Sequence, residues 1–252
     1  MPNVKKVGIK IMNFFVKSSQ IVGNKIYITD SDVNHIKNVL RKKPGDRISI
    51  VSDGAEYETE IINLSSDNVE CEIIEKIQTK IAGPKLTIYQ GLAKADKIEY
   101  IIQKCSELGV YEIVPVELKR CVVKLDGKDK AKKIERWQKI AEVAAKQSLR
   151  NDILKVERIV NFTQMIEDFK EFDYVIMAYE KEENSLKNAI KNISESHSKI
   201  AVVIGPEGGI DVDEAEKMIE SGAISVSLGK RILRTETAPV AISAIIMYEL
   251  EM

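Results

Sequence analysis

The chain changes rhythm at Pro84: from there on, short apolar runs alternate with longer segments of helical period. Leu86-Thr87-Ile88-Tyr89, Ile113-Val114-Pro115-Val116, residues 173–178, Lys199–Ile204 and residues 223–228 read as strands. Helices are predicted over 95–108, over 128–149, near 184–192, over 211–221 and over 237–250. In Ile200-Ala201-Val202-Val203-Ile204 every position is apolar, not every second one. Such a strand must be covered on both faces, and intervening helices supply the cover. This part of the chain is therefore restricted to a parallel sheet between helices. Gly109 stands where the first helix should end, as a C-cap. Pro239 falls in the first turn of the last helix, where a missing N–H is no loss.

Before Pro84 the period is two. Ile26-Tyr27-Ile28, Arg47-Ile48-Ser49-Ile50-Val51, Glu58-Thr59-Glu60-Ile61-Ile62 and Val69-Glu70-Cys71-Glu72-Ile73-Ile74 read as strands. Turn signals separate them: Pro44-Gly45-Asp46, Ser52-Asp53-Gly54 and Ser65-Ser66-Asp67-Asn68. Short strands at a spacing of about 8–12 residues point to a small β-barrel. One short helix interrupts it, capped by Asp30 or Ser31, with Val33, Ile36, Val39 and Leu40 on one face. The expected architecture is α/β: a barrel over 12–80, a domain with a parallel sheet over 83–252, and an extension over 1–11.

The net charge of −1 conceals a pattern. Residues 1–50 carry a balance of +7, 51–118 of −7, 119–150 of +7 and 151–252 of −8. Two basic segments parted by acidic ones can form one phosphate-binding face; ordinary solvated surface is the alternative. With 44% hydrophobic and 31% charged residues the composition is that of a folded chain, not a disordered one. No run approaches the ~18 apolar residues of a membrane span. Residues 1–6 lack the apolar run of a signal peptide, so a cytoplasmic protein is expected. Cys71, Cys105 and Cys121 are odd in number and widely spaced, which fits neither a disulfide framework nor a zinc site. They are read as packing or surface residues. With only His35 and His197 no metal site is expected. His35 is read as packed on the barrel helix and His197 as an exposed loop residue.

Two loops can carry chemistry. The strand ending at Ile204 runs into Gly205-Pro206-Glu207-Gly208-Gly209, glycines that let backbone approach a ligand at the carboxyl end of a sheet. The motif is neither GxGxxG nor a P-loop, and a plain strand–helix turn is the alternative. The second loop reads Gly229-Lys230-Arg231-Ile232-Leu233-Arg234-Thr235-Glu236-Thr237-Ala238-Pro239. A helix start capped by Thr235 or Thr237 explains its threonines. It does not explain Ile232-Leu233, which suit the apolar wall of a site for a flat ligand.

Taken together, the two loops closely resemble the RsmE family, bacterial methyltransferases that methylate uridine N3 of small-subunit ribosomal RNA. The resemblance covers nearly the whole chain. Its further marks are Met12-Asn13-Phe14-Phe15-Val16, His35-Ile36-Lys37-Asn38-Val39-Leu40-Arg41, Gln90-Gly91-Leu92-Ala93-Lys94 with Lys97, and Gln103-Lys104. Glu107-Leu108-Gly109-Val110, Arg120, Val122-Val123-Lys124, Trp137 and Ala144-Ala145-Lys146-Gln147-Ser148 with Arg150 complete the series. Each is weak alone; their order and spacing are specific. Lys146 departs from the pattern, which has a glutamate there.

The resemblance implies a knotted methyltransferase domain of the SPOUT class behind a PUA-like RNA-binding barrel, S-adenosylmethionine as methyl donor, 16S ribosomal RNA as substrate and a homodimer. It places donor binding at Tyr179, Glu180, Ile204, Gly205, Glu207, Gly208, Gly209, Leu228, Gly229, Ile232, Leu233 and Thr235. Arg234 is assigned to stabilising the uridine anion. Glu236 is read either as the base or as an ion-pair partner of Arg234. Lys17, Arg41, Lys42 and Lys43 on the barrel are assigned to RNA phosphates. Lys94, Arg120, Lys124, Gln147 and Arg150 are assigned to the approach to the donor. A SPOUT ribose 2′-O methyltransferase acting on ribosomal or transfer RNA, and a non-catalytic RNA-binding protein of ribosome assembly, are the competing readings. If the loops share one donor site, 204–209 and 228–235 should lie at the carboxyl ends of adjacent parallel strands, in one pocket.

Overall fold

In the computed structural model, which describes residues 12–78, 83–193 and 198–251, the period-two stretch becomes a six-stranded sheet. The expected extension over 1–11, the boundary residues 79–82 and His197 lie outside the described residues. The strands are β1 (Asn13–Phe15), β2 (Ile21–Val22), β3 (Lys25–Ile28), β4 (Arg47–Ser52), β5 (Ala55–Leu64) and β6 (Val69–Gln78). They pair in the order β1-β4-β5-β6-β3-β2, with β1 parallel to β4 and the rest antiparallel. Alternate residues face inward, as the period demands. Ile26 and Ile28, Ile48 and Ile50, Tyr57 and Ile61, and Val69 and Cys71 are buried in one core with Phe14, Val33 and Ile36. Register shifts at Glu58/Thr59 and Ile61/Asn63 bend β5, which lets the sheet curl.

Among the described residues β1 and β2 remain the two edges, so the expected barrel is a curled sheet, and its helix departs from its expected form. Helix α1 (Ser31–Asn34) passes directly into a π-helical turn, His35–Val39, in which the Leu40 N–H donates to the His35 carbonyl at 2.9 Å. The wider turn rotates Val39 off the apolar face, and it is 60% exposed while Val33 and Ile36 stay buried. Asp30 occupies the N-cap position at φ 64° without a side-chain capping bond. His35 is half-buried, with its ring 6.3 Å from that of Phe14.

Residues 145–152, placed by the sequence in the second domain, belong to this first unit. Asn13 Nδ2 donates to the Arg150 carbonyl at 2.8 Å and to Asn151 Oδ1 at 3.1 Å. Lys146 Nζ sits 2.7 Å from Asp32 Oδ1, each side chain at most one-fifth exposed. Lys146, which departs from the expected pattern, thus has a partner of opposite charge on α1.

The second unit, 83–144 with 153–251, holds seven strands, all parallel. They are β7 (Lys85–Gly91), β8 (Glu112–Glu117), β9 (Lys155–Val156), β10 (Val160–Asn161), β11 (Tyr174–Ala178), β12 (Lys199–Ile204) and β13 (Ile224–Val226). The order is β10-β8-β7-β12-β11-β13, with β9 also on β8. The central strands are buried almost end to end: all but the first residue of β7 and of β12, and Ile113–Val116 of β8. The helices are α2 (Ala95–Glu107), α3 (Gly127–Gln147), α4 (Phe162–Asp168), α5 (Leu186–Ile190), α6 (Val212–Glu220) and α7 (Thr237–Glu251). Gly109, at φ +87°, follows α2 as expected. Periodicity does not reveal β9, β10 or α4. Two-residue strands have no period to detect, but α4 carries a legible capping box. Asn161 Oδ1 accepts from the Gln164 N–H, and Gln164 Oε1 accepts from the Asn161 N–H.

Where β7 ends, Gly91 lies against Pro206. A Cβ added at Gly91 would stand 2.6 Å from Pro206 N and 2.7 Å from its Cδ. Backbone and a proline ring cannot yield as a flexible side chain can. Gly91→Ala should therefore lower stability by about 1–3 kcal/mol in urea denaturation, the range for overpacking. An unchanged midpoint would show that the two segments part easily.

Candidate active site

Three carboxyl ends build the site. Strand β12 ends at Ile204 and β13 at Val226, and between them stands β11, whose Ala178 is in register with both. The two loops therefore do not leave adjacent strands, as expected from the sequence; one strand separates them. They still meet in one cleft of about 510 Å³, because β11 ends level with its neighbours and contributes Tyr179 and Glu180 between them. Ile204, Gly205, Glu207, Gly208 and Gly209 line one side. Leu228, Gly229, Ile232, Leu233, Arg234 and Thr235 line the other, with Lys97 from α2.

A single hydroxyl ties the loops together. Thr235 Oγ1 donates to the Gly205 carbonyl at 2.7 Å and accepts from Gln90 Nε2 at 3.0 Å. Thr235 is thus a crosslink between the loops. Gln90 is fully buried at the end of β7 and also donates to the Gly91 carbonyl at 3.0 Å. Sequence reasoning missed Gln90 as a site residue. Its signal was a polar side chain closing an apolar strand. At Gly209 the backbone has φ +71°, and a Cβ there would lie 3.1 Å from Glu180 Oε1, so glycine serves both the turn and the close approach.

The charges are ordered. Lys97 Nζ lies 3.3 Å from Glu207 Oε1 and 3.2 Å from Glu236 Oε2. Glu207 Oε1 also accepts from the Lys94 N–H at 3.2 Å, at the N-cap of α2. Burial opposes the charge of Lys97, but hydrogen bonds to Glu236 and Glu207 outweigh it and raise its pKa above the ordinary lysine value. Burial likewise opposes the charge of Glu207, and the N–H groups of Glu207 and Lys94 with the Lys97 ammonium outweigh it, lowering its pKa. Arg234 NH1 stands 4.0 Å from Glu236 Oε1, on a side chain 83% exposed. Ile232 is 84% exposed, a large apolar group at the cleft.

The remaining candidates divide between the units. Lys17, Arg41 and Lys43 are exposed and Lys42 half-exposed in the first unit, Arg41 at φ 52° just past the π-helical turn. Gln147 and Arg150 also belong to the first unit, and Arg150 NH2 is held by Asp152 at 2.7 Å, its side chain 9% exposed. Lys94, Arg120 and Lys124 are exposed in the second unit. Arg120 donates to Asp211 Oδ2 at 3.2 Å and to the Gly208 carbonyl at 3.3 Å, so it touches the glycine loop. Burial pushes the thiols of Cys71 and Cys105 up to about 11 and about 12, which leaves them as packing groups.

The chain is similar to known RNA methyltransferases in sequence and fold. A family described as the RNA methyltransferase domain matches residues 82–247, and one described as the RNA methyltransferase PUA domain matches residues 28–74. Ribosomal RNA small subunit methyltransferase E of Bacillus subtilis is 42% identical over 231 residues, 89% of this chain and 90% of the relative. Its counterpart from Mesomycoplasma hyopneumoniae is 36% identical, covering 90% and 95%. The crystal structure of the Neisseria gonorrhoeae enzyme of the same name, bound to S-adenosyl methionine, superposes with a TM-score of 0.83. It is 31% identical, covering 95% of this chain and 98% of that one.

The Glu207 contacts have a pH signature. A carboxyl whose pKa is lower in the folded chain than its ordinary value of 4.5 adds stability above that value. The contribution disappears as pH falls through the lower, folded-state pKa. Thermal unfolding followed between pH 6 and about pH 3 should show a steeper acid loss for the wild type than for Glu207→Gln. Parallel curves would remove Glu207 from the ionised network.

Proposed function

The chain belongs to the ribosomal RNA small subunit methyltransferase E family, and on that footing we propose that it methylates N3 of a specific uridine in 16S ribosomal RNA, using S-adenosylmethionine. The observation that carries this reading is the cleft at three strand ends, closed by the Thr235–Gly205 bond. Its residues fit the donor. The volume suits a small molecule, glycines bring backbone close at Gly208 and Gly209, and exposed Ile232 with Leu233 offers an apolar wall to a purine.

When bound, the donor supplies an electrophilic methyl group on a sulfonium. The protein's part is to hold the uridine in line and to deal with the N3 proton, since the protonated nitrogen is a poor nucleophile. Arg234, exposed at the cleft, is proposed to offset negative charge on the uridine carbonyl oxygens. Glu236 is the proposed proton acceptor through Oε1, its other oxygen being engaged by Lys97. Lys17, Arg41, Lys42 and Lys43, with Lys94, Arg120, Lys124 and Gln147, are proposed to contact RNA. Arg150, its guanidinium held by Asp152, is proposed with them as an RNA-binding residue. The domain division is proposed as a PUA-like RNA-binding unit over 12–80 and a knotted SPOUT unit over 83–252, of which 145–152 group with the first unit.

A homodimer in the cytoplasm completes the proposal. Helix α7 buries Ile242, Ser243, Ile246 and Met247, while Ile245 and Tyr248 on its other side are 44% and 65% exposed. Light scattering at micromolar concentration should give twice the 28.3 kDa chain mass; a monodisperse species at the chain mass would overturn the dimer.

Nucleoside mass spectrometry of small-subunit ribosomal RNA from a deletion strain should show loss of N3-methyluridine. Loss of a ribose-methylated nucleoside, or of none, would favour the two competing readings. Replacing Arg41, Lys42 and Lys43 by alanine should weaken RNA binding and flatten its salt slope by roughly 2–3, with donor affinity unchanged. Arg234→Ala should instead lower methyl incorporation by roughly 10²-fold with RNA affinity kept. Normal salt dependence in the first variant, or wild-type turnover in the second, would refute the corresponding assignment.

A further inference from the structure

Lys97 is the one group in the described cleft that touches carboxylates from both loops. Its partners come from separate segments. Glu207 stands in the glycine loop after β12, and Glu236 stands at the end of the loop that enters α7. Lys97 itself is in the first turn of α2. Glu207 Oε1 is shared between the Lys97 ammonium and the Lys94 N–H, so the glycine loop is anchored on the start of that helix. Glu236 Oε2 is buried from solvent and faces the same ammonium.

Exposed ion pairs contribute little, because water screens them and two mobile side chains must be ordered. This cluster differs in two respects. One cation serves two carboxylates, so its loss leaves two like charges close together with no cation between them. One of the oxygens is buried, so it would be left without a counter-charge or water. The Thr235–Gly205 bond fixes the loops at the strand ends, and Lys97 fixes them again through α2.

We propose that Lys97 is a positioning residue of the methyl-donor site: its ammonium draws Glu207 and Glu236 together and so sets the spacing of the two loops that grip the donor. The inference rests on the proposed donor site and deepens it. A neutral side chain of similar length cannot take this role, because it offers no charge to the pair. Arginine can, because its fork presents several donors and keeps the charge.

The test is calorimetric binding of S-adenosylmethionine to the full chain, with thermal unfolding measured in parallel. Wild-type binding comes first; its absence would sink the proposed function and not this inference alone. Lys97→Met and Lys97→Gln should each raise the donor Kd about tenfold or more, the equivalent of about 1.4 kcal/mol. Lys97→Arg should stay within about threefold. Adding Glu207→Gln to Lys97→Gln should cost less than the two changes separately, because it removes the repulsion that the first creates. RNA affinity should be unchanged throughout. Wild-type donor affinity in folded Lys97→Gln, additive effects in the double variant, or failure of Lys97→Arg to restore binding would each overturn the proposal. If Lys97→Met does not fold, the Gln and Arg variants decide the matter.

Discussion

A parallel sheet buried on both faces leaves its backbone few places to meet a ligand. Along β7, β8, β11 and β12 the side chains are consumed by the core, and helices take up the solvent sides. Only the carboxyl ends, where each strand gives way to a loop, are open to chemistry. The cleft of this protein follows from that constraint. Its floor is the ends of β11, β12 and β13, and its walls are the segments that leave them. The core is thus what makes the site possible: it holds three strand ends level, and loops of several residues then need only a few bonds to be fixed.

Those bonds are of two kinds. Thr235, Gln90 and the Gly205 carbonyl form a neutral network away from water, where a satisfied polar group rigidifies and an unsatisfied one is costly. Lys97, Glu207 and Glu236 form a charged network nearer the surface, about three-quarters buried in each side chain. The first joins strand end to strand end. The second joins both loops to α2. A site built this way presents exposed groups, Ile232 and Arg234, on a frame whose supporting residues are buried or paired.

The curled six-stranded sheet is organised on a different principle. Alternation puts one face of each strand in the core and leaves the other for charge. Its basic residues Arg41, Lys42 and Lys43 come after a helix that widens into a π turn and ends with Arg41 in the left-handed region. The same turn expels Val39 from the core, so an apolar and a basic group stand exposed within three residues of each other.

Much of this was legible in the amino-acid order alone. A rhythm of two before residue 79 and apolar runs without alternation after Pro84 determined a curled sheet followed by a parallel one, since each pattern can be buried in only one way. The residues 204–209 and 228–235 marked the site, because glycines after a buried strand and apolar residues in a basic loop have few structural uses. What the sequence did not determine was contact between distant positions. That β11 stands between β12 and β13, that Thr235 crosslinks loops instead of capping α7, and that Lys97 gathers Glu207 and Glu236 all depend on strand order. Periodicity reports which face of a strand is buried and is blind to which strand lies beside it. Likewise Val39 has the spacing of a core residue and loses that place to one wide turn, and Lys146 reads as an anomaly until Asp32 is seen opposite it. Local pattern decides burial because burial is a property of one element at a time; partnership across more than a hundred residues is decided only when the chain has closed on itself.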